Sequence, residues 1–261
     1  MRLSQDQFAQ WREKGWVVLR GALDEARLRA LKHGVEEVEA WSRQGSPGMH
    51  HFESTPDGPR LARSEDFDPH HPTLSAFLRE GLLPEVLHQL FGEPAVLFKE
   101  KINFKYPGGG CFAPHQDAPA YRFIDHHISC MVSIDPATIQ NGCLWFAPGH
   151  RGGILPNVDG RIDRAWLDAA RWEPIEADPG DLVFFDSYAP HKSDTNRSTS
   201  PRRLMYLTYN AASKGDVRER YYADKRSTLA RDGDRGRSGH VRMSINDDFL
   251  GRPVPAPRRE P

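Results

Sequence analysis

The stretch Phe112-Ala113-Pro114-His115-Gln116-Asp117-Ala118-Pro119 decides how the rest of this 261-residue chain is read. His115 and Asp117 stand two apart. At the end of a β-strand that spacing puts both side chains on one face, because successive side chains alternate, and Gln116 then points away. An imidazole beside a carboxylate suits a divalent transition metal. Two histidines and one carboxylate on one face of an octahedron, with the other positions open, form the ligand set of non-haem iron(II) oxygenases. A second histidine must then come from elsewhere in the chain.

Downstream, His191 is the best placed. It follows a turn and an apolar run, Gly180-Asp181-Leu182-Val183-Phe184-Phe185-Asp186, and then Ser187-Tyr188-Ala189-Pro190. This reads as a buried strand that delivers His191 at its far end. The long interval from Asp117 leaves room for several strands, as a double-sheet roll needs. Arg202 follows at the spacing H-x10-R, just before the run Leu204–Tyr209. A guanidinium grips a carboxylate with two parallel hydrogen bonds. Arg202 is therefore placed to hold the remote carboxylate of a keto acid, with Ser193 as a second hydrogen-bonding group.

The flanking pattern agrees with a mainly β chain carrying helices at its start. Ser4 and Gln7 form a capping box, and Leu3 and Phe8 occupy hydrophobic-staple positions, so a helix opens here. Trp16–Leu19 reads as a strand. Asp24 to about Arg43 reads as a second helix, with Leu28, Leu31, Val35 and Val38 on one face. Residues 44–72, rich in Gly, Pro, Ser, Asp and His, read as irregular, with at most short strands. A third helical stretch runs from about Pro72 to Phe91.

From there short β runs follow: Ala95–Lys99, Ile102–Tyr106, His127–Ile134, Cys143–Ala147, Leu182–Asp186 and Leu204–Tyr209. Clusters such as 107–110 (PGGG), 140–142 (QNG) and 178–181 (DPGD) punctuate them. Many short strands between turn signals predict a sandwich or barrel. One oxygenase domain over 1–261 is expected: a mostly helical part at 1–93, a β core at 94–215 and a loosely ordered tail at 225–261.

Composition narrows the function classes. Lys plus Arg is 35 and Asp plus Glu is 36, a net charge of −1, so no basic footprint for nucleic acid exists and a purely electrostatic membrane partner is not expected. No apolar run is long enough to span a bilayer, and the N-terminal residues lack the apolar core of a secretory signal. The three cysteines, Cys111, Cys130 and Cys143, form no C-x-x-C pair, which argues against a disulfide framework or zinc ribbon. A cytoplasmic chain acting on a small molecule, as monomer or homodimer, is the expectation.

Taken together these elements resemble the phytanoyl-CoA dioxygenase family of iron(II)/2-oxoglutarate-dependent oxygenases. FAPHQDAP resembles that family's H-x-D element and PGDLVFFDSYAPHKS its distal-histidine element. The H-x-S and H-x10-R spacings fit, as do the opening QDQFAQWREKGWVVLRGAL and the central NGCLWFAPGHRGG. The resemblance covers roughly residues 3–215. It implies a double-stranded β-helix core (a cupin-like jelly roll) with N-terminal helices packed on one sheet. It implies iron(II) on His115, Asp117 and His191, with 2-oxoglutarate and O2 as co-substrates and succinate and CO2 as products. The carboxylate of Asp117 speaks against the halogenating variant of this chemistry.

The run Lys99-Glu100-Lys101-Ile102-Asn103-Phe104-Lys105 alternates, so Lys99, Lys101, Asn103 and Lys105 share one face. That face is either a solvated outer surface or the inside of the roll. In the second case the resemblance assigns Asn103 to the co-substrate, and Lys99 or Lys101 meets an anionic substrate. Tyr121 is either a substrate-packing ring or a core aromatic. FKEKINFKYPGGG is similar to the branch that hydroxylates 2-aminoethylphosphonate and related small polar molecules, a branch that also holds natural-product tailoring enzymes. Desaturation or cyclisation on the same iron site, a hydrolytic zinc site and a non-catalytic metal-binding β-roll are the competing readings.

Overall fold

The computed structural model describes residues 1–234 except 46, 56–57, 122, 149–152 and 159. Four helices lie in the first part: α1 (Gln5–Lys14), α2 (Glu25–Gln44), α3 (Pro72–Arg79) and α4 (Leu82–Phe91). The capping box forms at α1: Ser4 Oγ accepts from the Gln7 amide, and Gln7 Oε1 accepts from the Ser4 amide. The helical stretch expected at 72–91 is two helices. Gly81, at φ +66°, breaks it, a left-handed conformation that side chains other than glycine rarely adopt.

Thirteen strands are described: β1 (Trp16–Leu19), β2 (Met49–Thr55), β3 (Gly58–Glu65), β4 (Ala95–Lys105), β5 (Phe112–His115), β6 (Ile128–Ser133), β7 (Leu144–Phe146), β8 (Asn157–Val158), β9 (Arg161–Ile162), β10 (Glu173–Ile175), β11 (Leu182–Asp186), β12 (His191–Ser193) and β13 (Arg202–Ala211). They form two antiparallel sheets. The larger has the order β1-β11-β6-β13-β4-β3-β2, the smaller β10-β7-β12-β5-β9-β8. The fold is the jelly roll, with flanking helices.

Two expectations change here. The runs 95–99 and 102–106 are one strand, β4, which pairs with β13 along its length. Residues 49–65, read as irregular, are the hairpin β2–β3, which extends the large sheet beyond β4. Its inner-facing residues are polar (His51, Arg63 and Glu65 are all buried), so no apolar alternation marks it.

Strand parity divides the core. Leu182 and Phe184 of β11, Ile128, Cys130 and Val132 of β6, and Met205, Leu207 and Tyr209 of β13 face outward into one apolar layer. That layer is shared with Leu31, Val35 and Val38 of α2, Leu74 and Leu78 of α3, and Val86 and Leu87 of α4. The alternate residues, Val183, Phe185, Met131, Leu204 and Tyr206, face inward against Phe146 and Leu144 of the small sheet. Helices pack on one face of the large sheet, and the other face closes the roll.

A short helix, α5 (Arg164–Ala169), lies in the 157–172 insertion. After β13 a last helix, α6 (Arg218–Asp234), docks on the large sheet through Arg218, which pairs with Glu100 and Asp66, and through Lys225, which pairs with Glu65. Helix therefore continues to 234, past the start of the tail expected to be loosely ordered; 235–261 lie outside the described residues. Among the described residues no helix is long and apolar enough to cross a membrane, and all three cysteines are free.

Candidate active site

β5 and β12 are neighbours in the small sheet, and their register pairs His115 directly with His191. The two rings lie 4.2 Å apart. Asp117, just past the end of β5, brings its Oδ1 to 3.7 Å from His115 Nε2. One ligand atom from each of the three residues lies within 4.8 Å of the others, a group able to hold a metal ion. Each histidine donates Nδ1–H to a carbonyl two residues earlier: His115 to Ala113 at 2.7 Å and His191 to Ala189 at 3.0 Å. Those bonds fix the tautomer, so each Nε2 keeps its lone pair for a metal.

Electrostatics point the same way. Burial opposes ionisation of Asp117, but His191, His115, Lys99 and Lys101 outweigh it and hold its carboxyl well below the usual range. Burial lowers the pKa of His191, against the pull of Asp117, so its ring stays neutral. A neutral imidazole and an ionised carboxylate are the protonation states that ligation requires. Gln116 points away from the triad, as its position predicts. It ties loops together instead, donating to the carbonyls of Gly153 and Tyr188 and accepting from the Leu155 amide.

Deeper in the roll, Arg202 is 1% exposed, and its Nε and Nη1 have no hydrogen-bond partner among the described residues. A buried guanidinium with open donors is costly unless an anion completes it. It fits a carboxylate. Its cross-strand neighbour is Lys105, whose ammonium donates to Ser193 Oγ at 2.9 Å and to the Asp194 carbonyl at 2.7 Å. Asn103 faces inward on β4, its Oδ1 accepting from Arg63 Nε at 3.1 Å. The donors present therefore fit both a ferrous ion and a dicarboxylate beside it.

The alternating face of β4 is the inside of the roll. Lys99, Asn103 and Lys105 are buried, and Lys101 and Asn103 line the cavity with His115, Asp117, His191 and Tyr206. That cavity has a volume of about 30 Å³. Burial brings the Lys99 ammonium down to about 8, opposed by Asp117 and Glu65, and holds Lys101 well below the ordinary lysine value. Neither makes an ion pair among the described residues; Lys99 hydrogen-bonds the Tyr121 hydroxyl and sits 4.2 Å from the centre of that ring. Tyr121 thus stands next to Lys99.

Sequence reading passed over three residues that the roll places here. Lys105 shares the marked alternation but had no role beside Arg202. Arg63 lies in the hairpin read as irregular. His127, at the start of β6, is completely buried between the rings of Tyr121 and Phe98. Only its parity with Ser129, which lines the cavity, could have marked it. His150, in the NGCLWFAPGHRGG segment, lies outside the described residues.

A sequence model of the phytanoyl-CoA dioxygenase (PhyH) family matches residues 11–204. Among characterised proteins, the methylphosphonate hydroxylase of Gimesia maris is 47% identical over 254 residues, covering 97% of each chain. The 2-aminoethylphosphonate dioxygenase of an uncultured bacterium is 41% identical over 257 residues, covering 96% of this chain and 98% of that one. Among solved structures, EctD from S. alaskensis with 2-oxoglutarate and 5-hydroxyectoine superposes with a TM-score of 0.69. That match covers 81% of this chain and 77% of the other, at 20% identity, a likeness of fold.

Proposed function

The chain belongs to the phytanoyl-CoA dioxygenase family of iron(II)- and 2-oxoglutarate-dependent oxygenases, and we propose that it hydroxylates a small organophosphonate. The observation that carries this reading is the lysine pair beside the triad. Lys99 is buried, Lys101 opens onto the cavity, and neither has a carboxylate partner among the described residues. Holding two cations in a low-dielectric pocket is unfavourable unless a ligand brings compensating negative charge. The co-substrate's charges meet iron and Arg202. The lysines are left for a second anion, and a phosphonate supplies one. The relatives that act on methylphosphonate and 2-aminoethylphosphonate support the same class.

In this reading His115, Asp117 and His191 hold iron(II). Bound there with 2-oxoglutarate and O2, the metal supplies the chemistry that converts C–H to C–OH while 2-oxoglutarate becomes succinate and CO2. Arg202 takes the far carboxylate of 2-oxoglutarate, with Ser193 and Lys105 alongside, and Asn103, steadied by Arg63, faces the same molecule. Lys99 and Lys101, with Tyr121, hold the phosphonate so that the carbon attached to phosphorus stands next to the metal. Phe112, Phe185 and Leu144 line the remaining wall and limit water at the reacting carbon.

The test is direct. Anaerobic protein given iron(II) and 2-oxoglutarate should develop a weak visible charge-transfer band. In air, methylphosphonate or 2-aminoethylphosphonate should then drive succinate release with a matching hydroxylated product in the 31P NMR spectrum. A band together with succinate release that no phosphonate stimulates, while small carboxylic acids or acyl thioesters do, would overturn the substrate class.

A further inference from the structure

We propose that His127 is a substrate-binding residue whose imidazole joins Lys99 and Tyr121 in one corner that grips the phosphonate oxygens. The inference rests on the organophosphonate reading above and adds a residue that this reading does not use.

Its ground is a buried polar group with no hydrogen-bond partner among the described residues. His127 is 0% exposed, and among the described residues neither ring nitrogen has a hydrogen bond. Buried imidazoles are ordinarily bonded through at least one nitrogen, and an exception calls for an explanation. The backbone of His127 is fully engaged: its carbonyl accepts from the Ser187 amide at 3.0 Å, and its amide donates to Ser187 Oγ at 3.3 Å. The residue is thus held rigidly while its ring is left open.

The surroundings say what the ring faces. His127 lies two positions before Ser129, so both side chains point to the same side of the sheet, and Ser129 lines the metal cavity. Ser129 pairs with Thr208, and Thr208 pairs with Lys99, so the three strands β6, β13 and β4 present this corner together. A register shift at the β4–β13 pair turns Phe98 towards the same corner, where its ring is 6.4 Å from that of His127. The Tyr121 ring stands edge-on to His127 at 5.1 Å, with its hydroxyl on Lys99. A cation, a phenol and an imidazole therefore converge beside Asp117.

A carboxylate offers two oxygens in a plane, whereas a phosphonate offers three in a tetrahedral array. Lys99 Nζ, Tyr121 Oη and one His127 N–H offer three donors in neighbouring side chains. Neutral imidazole keeps an acceptor on its other nitrogen, which suits a phosphonate that still carries a proton. This makes His127 a determinant of phosphonate over carboxylate.

The experiment uses full-length iron(II) enzyme with 2-oxoglutarate and compares wild type with His127→Phe and His127→Gln. The probe is methylphosphonate, read as KM and kcat in air and as Kd under anaerobic conditions from its perturbation of the visible band. His127→Phe should raise the phosphonate KM and Kd at least tenfold and leave the 2-oxoglutarate KM within twofold. Its Tm should not fall, because the ring makes no hydrogen bond that the variant loses. His127→Gln, which retains a donor, should recover part of the affinity. A His127→Phe enzyme with phosphonate KM and Kd within twofold of wild type would overturn the assignment and leave the organophosphonate reading intact. Collapse of its fold, with His127→Gln binding as wild type does, would also overturn it, placing the ring in the core. Wild-type enzyme that neither binds nor turns over any phosphonate would remove the substrate class, and this assignment with it.

Discussion

His115 and His191 are direct cross-strand partners on β5 and β12, and each turns its Nδ1–H back to the carbonyl two residues before it, of Ala113 and Ala189 respectively. Two strands far apart in sequence thus present matched imidazoles in the same tautomer. Antiparallel pairing sets the distance between them, and the local backbone sets which nitrogen is free.

The carboxylate completes that pair, so Asp117→Ala should abolish tight iron binding while both histidines remain. Metal content after anaerobic reconstitution and desalting checks it. The variant should hold far less than one iron per chain and form no succinate. Stoichiometric iron with undiminished turnover would show that the third ligand lies elsewhere.

Arg202→Met should raise the KM for 2-oxoglutarate by about thirtyfold to several thousandfold. Truncating one partner of a buried, hydrogen-bonded charge pair costs about 2–5 kcal/mol. Without ligand the variant should melt close to wild type: Nε and Nη1 have no hydrogen-bond partner among the described residues, and only the bond to the Tyr206 side chain is lost. Paired steady-state kinetics and calorimetry separate these effects, and an unchanged KM would remove Arg202 from the co-substrate site.

Lys101→Met should weaken the phosphonate and spare 2-oxoglutarate. Burial holds the Lys101 ammonium well below its ordinary value, with Lys99 and Arg63 adding to the effect. A group held that way opposes folding in its charged form, so the variant should also gain thermal stability near neutral pH. Higher Tm with a higher phosphonate KM is the expected pair. A lower Tm with unchanged kinetics would make the lysine structural.

Acid should destabilise the protein before its carboxylates titrate. Burial lowers His51 from its ordinary 6.5 to about 3, with Glu65 pulling the other way. Between those values the unfolded chain takes a proton that the folded chain refuses. Stability is therefore complete above about pH 6.5 and is lost as pH falls towards 3, with a slope approaching about 1.4 kcal/mol per pH unit from this group. Tm measured from pH 7 to pH 4 should fall, and His51→Phe should flatten the fall. An identical slope in that variant would assign the loss to other groups.

The sequence by itself determined the chemistry of the chain. Its H-x-D element, its distal histidine and the H-x10-R spacing are local patterns tied to strand parity and turn signals. Parity survives any arrangement of the strands, so the H-x-D spacing is readable wherever β5 lies, although Asp117 itself falls just past the strand's end. Helices α1 and α2 were equally legible, because caps and the 3.6-residue period are local, whereas the break at Gly81 and helix α6 were not.

The tertiary structure decided what the inside of the roll looks like. Hydrophobic alternation marks a strand only when its inner face is apolar, and this inner face carries His51, Arg63, Glu65, Lys99, Lys101, Asn103 and Lys105. The hairpin β2–β3 therefore looked irregular, β4 looked like two short strands, and its lysines fitted a solvated surface equally well. Whether a polar face meets solvent or a closed, charged cavity depends on which strands pair across it, and that is a property of the sheet order rather than of any single segment.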